Sequence, residues 1–176
     1  MLETDMEILK EMTTNTGESI WGLTFKKPVM VVFLRHFGCV FCKEAMIDIS
    51  QKREIFESQG FHIIFVHMSD TETANEYFAK YNLSGVSFVN DPVQRYYKAF
   101  GLFRGSFTQL YGLQTWIRGY KLKKEQGLEL ELAKKLGDST QMPGVFILMD
   151  GQIKEQFIHR HAAEQPNYEK LLECCV

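Results

Sequence analysis

Cysteine is scarce in this sequence, with four residues among 176, and long apolar runs are absent. Four cysteines in a chain of this length are too few for a disulfide scaffold. The longest apolar stretch, from Val29 to Leu34, is far too short to cross a bilayer. The first residues, Met1 to Glu7, are acidic and lack the basic-then-apolar order of a signal peptide. We therefore expect a cytoplasmic protein, in a compartment that keeps thiols reduced.

The charge balance gives no sign of a polyanionic partner. The net charge is −2, and charges of both signs are interspersed along the chain. We expect neither nucleic acid nor a membrane as a partner. The sequence also lacks a glycine-rich phosphate loop, a nucleotide fingerprint and a Ser/His/Asp order. With no internal repeat and no linker, the chain is expected to form one domain over residues 1–176.

Strands and helices alternate through the first hundred residues. Apolar runs predict buried strands over 29–35, 61–68 and 86–89. The segments that follow them have the i, i+3, i+4 spacing of amphipathic helices. This order is typical of an α/β protein with parallel strands and helices on both faces of the sheet. The helices are predicted over 40–58, 69–81 and 91–100.

The remaining segments do not continue this alternation. We predict an N-terminal helix within residues 1–19, a short strand over Ile20–Phe25, and a helical insertion over 102–138. This insertion is expected to lie against the domain or over its site. Asp150-Gly151 predicts a hairpin, and Pro166 is expected to open a last helix. The hairpin strands are predicted over 145–149 and 152–158.

Helix ends also have sequence signals. Ser69 with Glu72 three residues later forms a capping-box pattern. Asp91 followed by Pro92 predicts a helix with aspartate as its cap and proline at the first helical position. Gly60 is expected to end the first long helix in a left-handed conformation.

The residues that point to chemistry are Cys39 and Cys42, which follow a strand and open a helix. A cysteine at the first turn of a helix faces unpaired backbone N–H groups and the positive end of the helix dipole, which favour the thiolate. Cys39 is the candidate attacking thiol. Cys42, one turn further on, is the candidate resolving thiol. Of the neighbouring residues, Arg35 and Lys43 are expected to add positive charge, and His36 to tune or deprotonate Cys39.

Several segments together resemble the thioredoxin superfamily, and more closely the peroxiredoxin-like AhpC/TSA family, which includes SelL-type redoxins. The resemblance covers roughly residues 20–175. The segments that carry it are Phe33 to Cys42, Asn90-Asp91-Pro92, Tyr96 to Leu102, Arg104-Gly105-Ser106, Gln141 to Phe146, and His159-Arg160-His161.

This resemblance implies a thioredoxin-like three-layer α/β/α fold with a central mixed sheet. It also implies reduction of disulfides or hydroperoxides through a redox-active Cys39–Cys42 disulfide, with no other cofactor and no metal. An external thiol of thioredoxin or glutathione type would then reduce that disulfide again. In thioredoxin-like domains a cis-proline before the hairpin lies beside the cysteine pair. Met142 and Pro143 are therefore expected to line the site, with the bond between them cis.

The sequence departs from typical relatives at positions near the first cysteine. A typical peroxiredoxin has proline seven residues and threonine three residues before its reactive cysteine, where this chain has Val32 and His36. Thioredoxin has a buried acid six residues before its first cysteine, where this chain has Phe33. Glu44 is a candidate replacement for that acid.

The sequence also allows other interpretations of these residues. The chain is alternatively a non-catalytic binding module in which Cys39, Cys42 and His36 hold zinc with a fourth ligand from His159, His161 or the C-terminal cysteines. The terminal pair Cys174-Cys175 is read by default as one core and one surface residue, and alternatively as a resolving or metal-binding pair. Arg104 is either a solvated loop arginine or a residue that orients a substrate.

Overall fold

The computed structural model describes residues 3–176. The predicted N-terminal helix is present from Glu3, and its residues 1 and 2 lie outside the described part. The helices are α1 (Glu3–Glu11), α2 (Ile20–Thr24), α3 (Val40–Ser58), α4 (Thr71–Lys80), α5 (Arg95–Ala99), α6 (Phe107–Tyr111), α7 (Leu113–Gln126) and α8 (Tyr168–Leu172). The strands are β1 (Val29–Phe33), β2 (His62–His67), β3 (Ser87–Asn90), β4 (Gly144–Met149) and β5 (Gln152–Ile158). Short 3-10 turns cover Lys134–Leu136 and Glu173–Cys175.

The five strands form one mixed sheet in the order β3-β2-β1-β4-β5. Strands β1, β2 and β3 are parallel, whereas β4 runs antiparallel to both β1 and β5. The central strand β1 is buried along its whole length, as its continuous apolar run predicts. Its Val31 is in register with Ile64 on one side and with Phe146 on the other.

Alternate residues of β1 enter two separate cores, because successive side chains of a strand point to opposite faces. Met30 and Val32 pack in the core formed with α3, α4 and α8. Val29, Val31 and Phe33 pack in the core formed with α1, α2 and α5. The sheet is therefore covered on both faces, and the predicted three-layer α/β/α architecture with a mixed sheet is confirmed.

Some local predictions were wrong. Ile20–Phe25 is not a strand: its first five residues form α2, and the Ser19 hydroxyl accepts a hydrogen bond from the Gly22 N–H at 3.1 Å. The cap of α4 is Asp70, which accepts from the Thr73 N–H at 2.7 Å, and not Ser69. A carboxylate one residue later therefore supplies the acceptor that the serine was expected to give.

Two further helices begin later than their sequence signals predicted. The Asp91 carboxylate accepts from the backbone N–H groups of Arg95, Tyr96 and Tyr97. It thus caps α5 from a distance, and Pro92 precedes the helix instead of opening it. The cap of α8 is Asn167, one residue after Pro166.

The predicted turns at Gly60 and at the hairpin are confirmed. Gly60 has φ +93°, just beyond the end of α3. Asp150 and Gly151 have φ +53° and +70°, as a two-residue hairpin turn requires. The hairpin adds β4 and β5 to the sheet.

The predicted insertion consists of α6, α7 and an irregular segment, residues 127–138, which we call the strap. The strap runs back across the start of α3. The Glu131 N–H donates to the Gly38 carbonyl at 2.9 Å, and the Phe37 N–H donates to the Leu136 carbonyl at 3.3 Å. The insertion therefore lies over the cysteine pair, which is one of the two positions expected for it. None of the helices in the described residues is long and apolar enough to cross a membrane.

Candidate active site

Both candidate thiols lie after the end of β1, at the start of α3. The chain leaves β1 after Phe33, turns, and enters α3 with Cys39 as the N-cap residue in extended conformation. Cys42 lies in the first turn of the helix. Both cysteines are free thiols and both are buried, with 1% and 3% of their surfaces exposed. The predicted placement at a helix start is present, so the helix N-terminus favours a thiolate here.

Arg35 connects the two sulfur atoms. Its Nη1 donates to the Sγ of Cys39 at 3.0 Å, and its backbone N–H donates to the Sγ of Cys42 at 3.1 Å. The guanidinium is itself fixed, because Nε donates to the Gln141 carbonyl at 3.1 Å and Nη2 donates to the Ser139 carbonyl. A buried, anchored guanidinium is the strongest anion-stabilising group that a side chain can supply at this position.

The environment shifts the pKa values of the two thiols in opposite directions. Burial alone raises the pKa of the Cys39 thiol, but the hydrogen bond from Cys42 and the charge of Arg35 outweigh it and hold that pKa well below its ordinary value. Burial and the adjacent Cys39 raise the pKa of Cys42 well above its ordinary value. These opposite directions are the ones that an attacking Cys39 and a resolving Cys42 would need, and the two roles stay a prediction.

His36 lies beside the thiol pair. Burial lowers the pKa of its imidazole, against a smaller opposing effect of Cys39. Its carbonyl accepts a hydrogen bond from the Cys39 N–H at 3.1 Å. Its Nε2 is buried and makes no hydrogen bond within the described part of the protein. His36 therefore offers a free polar atom next to the nucleophile.

Lys43 does not face the thiols, contrary to expectation. Its ammonium group is buried, donates to the Glu129 carbonyl at 2.7 Å and forms an ion pair with the Glu131 carboxylate. The Tyr77 hydroxyl also donates to Glu131, at 2.7 Å. Lys43 is thus an anchor for the strap.

Met142 and Pro143 lie near the site, but the bond between them is not cis. No cis peptide occurs among residues 3–176. The Met142 N–H instead donates to the Phe103 carbonyl at 3.2 Å, so this loop pairs with the insertion. Pro143 lines a small hollow together with Arg35, Cys42 and His159, which places it on the Cys42 side of the pair.

A cavity of about 460 Å³ opens at Cys39. Arg35 and His36 line its polar end. The opposite walls come from the insertion and are mainly apolar. They include Leu110, Tyr111, Trp116, Tyr120, Leu128, Leu130 and Leu132. The sequence predicted that the insertion lies against the domain or over its site, but not which of its residues line this cavity.

Other sequence candidates lie outside this arrangement. Arg104 is mostly exposed and pairs with Asp138 at 3.1 Å, which matches a solvated loop arginine. Glu44 pairs with Arg118 at 2.6 Å, and burial raises the pKa of its carboxyl group. In the described part of the chain, no group of three or more His, Cys, Asp or Glu side chains is placed to hold a metal ion.

The structure also places the terminal thiols and His159, which was a candidate zinc ligand. Cys174 is exposed and Cys175 is partly buried against the core, with their Sγ atoms 3.0 Å apart. Burial and the neighbouring Cys175 raise the pKa of Cys174 to about 12, so it is a poor nucleophile. His159 is buried, and burial lowers its pKa to about 4.

Comparison with known proteins gives the family. The AhpC/TSA family profile matches residues 10–156, and the chain belongs to that family. Its fold is that of a thioredoxin-like, peroxiredoxin-like protein. The SelL-type subdivision stays a prediction.

Individual relatives are distant. The chain is 29% identical over 147 residues to human peroxiredoxin-like 2C, an alignment that spans 80% of this chain and 64% of the relative. It is 22% identical over 157 residues to the chloroplastic thioredoxin-like protein AAED1 of Arabidopsis thaliana, spanning 85% of this chain and 62% of the relative. The chain thus spans less than two thirds of the length of either protein.

Solved structures show the same fold. The bacterioferritin comigratory protein of Xanthomonas campestris, described for its alkyl peroxide reduction, superposes with a TM-score of 0.59 at 14% identity. That match covers 86% of this chain and 81% of the other.

Proposed function

We propose that this protein is a thiol peroxidase in which Cys39 is the attacking thiol and Cys42 the resolving thiol. The observation that carries the proposal is the 3.0 Å hydrogen bond from the buried Arg35 guanidinium to the Sγ of Cys39. A thiolate so stabilised, at the end of an open cavity, is the nucleophile that peroxide reduction needs. The family gives the general class, and the alkyl peroxide reduction described for the Xanthomonas structure makes a peroxide the substrate to try first.

The first step oxidises Cys39. Its thiolate attacks the outer oxygen of a peroxide ROOH, so that an S–O bond forms and the O–O bond breaks. Sulfur is oxidised to sulfenic acid, and the leaving RO⁻ takes a proton from water in the cavity to become ROH. Arg35 stabilises negative charge as it passes from sulfur to oxygen. His36 Nε2 is free to hydrogen-bond the bound peroxide, at the position where typical peroxiredoxins have a threonine.

The second step closes the disulfide. The Cys42 thiol attacks the Cys39 sulfur, an S–S bond forms, and the hydroxyl group leaves with the Cys42 proton as water. The raised pKa of Cys42 keeps that proton in place until it is needed. Cys42 is one helical turn from Cys39, so the two residues are neighbours on the helix surface.

The cycle ends with reduction by an external thiol system, either one thioredoxin-type dithiol or two glutathione-type thiols. Thiol–disulfide exchange returns Cys39 and Cys42 to thiols and leaves the reductant as its own disulfide. Such reductants are maintained in the cytoplasm, and we place the antioxidant activity there.

The same geometry supports a second candidate, a thiol-disulfide oxidoreductase. Two adjacent thiols with opposed pKa changes are also what disulfide exchange requires. Steady-state reduction of hydrogen peroxide, an alkyl hydroperoxide and a protein disulfide should therefore be measured side by side with a thioredoxin-type reductant. We expect both peroxides to be reduced faster than the disulfide. The reverse order would favour the oxidoreductase.

Matched variants make this test decisive. Cys39→Ser is expected to abolish turnover, whereas the double variant Cys174→Ser/Cys175→Ser is expected to retain it. If Cys39→Ser reduces peroxide and disulfide as well as the unchanged protein does, the enzyme assignment fails and a non-catalytic binding module remains.

A further inference from the structure

The exposed face of α6 and α7 carries an unusual density of large apolar side chains. On α7 these recur at the i, i+3, i+4, i+7 positions of one stripe, and each is more than half exposed. Monomeric proteins rarely leave contiguous apolar surface of this kind in water unless something binds there. The stripe residues are Leu113, Trp116, Ile117 and Tyr120, and α6 adds Phe107 and Tyr111.

The stripe is bordered by cations. Helix α7 carries four basic side chains and one acidic one, so it has net charge +3 in a protein of net charge −2. At 3.6 residues per turn, Lys121 and Lys123 project on either side of the stripe, and Lys124 continues it. All three lysines are exposed. Lys121 and Lys123 form surface ion pairs with Glu125 at 3.9 Å and Glu129 at 2.9 Å, contacts weak enough in solvent to be exchanged for lipid phosphates. An apolar stripe with tryptophan and tyrosine, flanked by lysines, is the pattern of a helix that lies in the plane of a membrane surface.

We propose that α6 and α7 form a surface that rests on an anionic lipid bilayer. The apolar stripe would enter the boundary between headgroups and acyl chains, and the lysines would reach the lipid phosphates and carboxylates. A second copy of this chain is a poorer occupant, because self-association would bring together two helices that each carry a net charge of +3, whereas an anionic bilayer complements that charge.

The proposed surface is continuous with the mouth of the Cys39 cavity. Tyr111, Trp116 and Tyr120 belong to both, as does Lys123. A protein resting on lipid through this face would therefore present the cavity to the bilayer. The binding does not depend on the proposed peroxidase activity, and it can be measured on the Cys39→Ser variant.

Intrinsic fluorescence gives a direct readout, since the chain has two tryptophans. In Trp21→Phe the remaining indole is Trp116, which is 71% exposed. We expect its emission to shift to shorter wavelength with vesicles that contain about one third phosphatidylserine. Vesicles of phosphatidylcholine alone should produce little shift. Raising the salt from about 0.1 M to about 1 M should weaken the binding.

Two isoleucines provide a matched pair for vesicle flotation. Ile117 on the stripe and Ile55 on α3 are both 56% exposed. Ile117→Ser should lower the vesicle affinity several-fold, because it removes apolar area that enters the lipid, whereas Ile55→Ser should not change it. The double variant Lys121→Gln/Lys124→Gln should lose about fivefold for each lysine.

The proposal is overturned if anionic vesicles neither shift the Trp116 emission nor float the protein. It is also overturned if Ile117→Ser and Ile55→Ser bind vesicles equally well. A dimer in sedimentation velocity that Ile117→Ser dissociates, without vesicle binding, would assign the face to self-association instead. Peroxide turnover of the unchanged protein is a separate measurement, so failure of the lipid surface and failure of the peroxidase can be told apart.

Discussion

Replacing Arg35 by methionine should raise the pKa of Cys39 and slow its reactions at neutral pH. The guanidinium makes a charge-assisted hydrogen bond to the Cys39 sulfur at 3.0 Å. Such a bond contributes about 1.5–3 kcal/mol, which corresponds to an increase of roughly one to two in the thiol pKa. The thiolate fraction at pH 7 would fall by up to about tenfold to hundredfold.

The rate should fall by less than the thiolate fraction. A thiolate of higher pKa is intrinsically more nucleophilic, with a Brønsted coefficient of about 0.4–0.5, so part of the loss is recovered. We expect reaction with a small aromatic disulfide to slow by about threefold to tenfold at pH 7. Above the new pKa, Arg35→Met should react at least as fast as the unchanged protein.

The assay is the pH dependence of that rate in a Cys174→Ser/Cys175→Ser background, in which Cys39 and Cys42 are the remaining thiols. Arg104→Met is the control, because it removes an exposed guanidinium that pairs with Asp138. Methionine at 35 also leaves the Gln141 and Ser139 carbonyls without their donor, so both variants should be compared well below their melting temperatures. An unchanged Cys39 pKa in Arg35→Met, or an equal rise in Arg104→Met, would refute the reasoning.

Further predictions concern the strap and acid stability. In Gly38→Ala the added Cβ would overlap the Glu131 carbonyl, so we expect a loss of about 1–3 kcal/mol in urea unfolding and faster alkylation of Cys39; unchanged values would contradict the strap contact. Lys43→Met should lower the free energy of unfolding by about 1–3 kcal/mol, at the lower end because Glu131 is 45% exposed. If the unchanged protein melts at the same temperature in low and high salt, that result would count against a contribution from this ion pair. Burial lowers the pKa of His67 to about 4, so the unfolded chain binds more protons and stability should fall between about pH 6.5 and pH 4, by about 3 kcal/mol at most. His67→Phe should flatten that part of the stability curve, and an unaltered slope would exclude His67 as its cause.

Local patterns in the sequence predicted the elements that carry the site. The apolar run of β1, the helix from residue 40 to 58 and the Asp150-Gly151 hairpin are all present. Each depends on neighbours a few residues away, which a sequence displays directly. Ile20–Phe25 was mistaken for a strand because a short apolar run is compatible with either structure.

Contacts between distant residues were not predictable in this way. Arg35 faces Cys39 because carbonyls of Ser139 and Gln141, more than a hundred residues later, hold its guanidinium. Lys43 was assigned to the thiols by its position in the sequence, but its partner is Glu131, 88 residues away. No local pattern contains either pairing.

Periodicity and net charge did not predict the exposure or the local charge of α7. The spacing of Trp116 and Tyr120 indicates which side chains share a face, but not whether anything covers that face. The structure leaves both exposed. Likewise, a net charge of −2 for the whole chain conceals the +3 of this one helix. The expectation that no membrane is a partner rests on the net charge of the whole chain and stays a prediction, whereas the proposed lipid surface depends on the local distribution of charge.

The central claim is that Cys39 attacks and Cys42 resolves, and peptide mass mapping after one equivalent of peroxide tests it most directly. In the unchanged protein we predict a Cys39–Cys42 disulfide, with Cys174 and Cys175 still alkylatable. In Cys42→Ser we predict a sulfenic acid at Cys39 that dimedone traps. A Cys39 that stays a free thiol while another cysteine is oxidised would contradict the account.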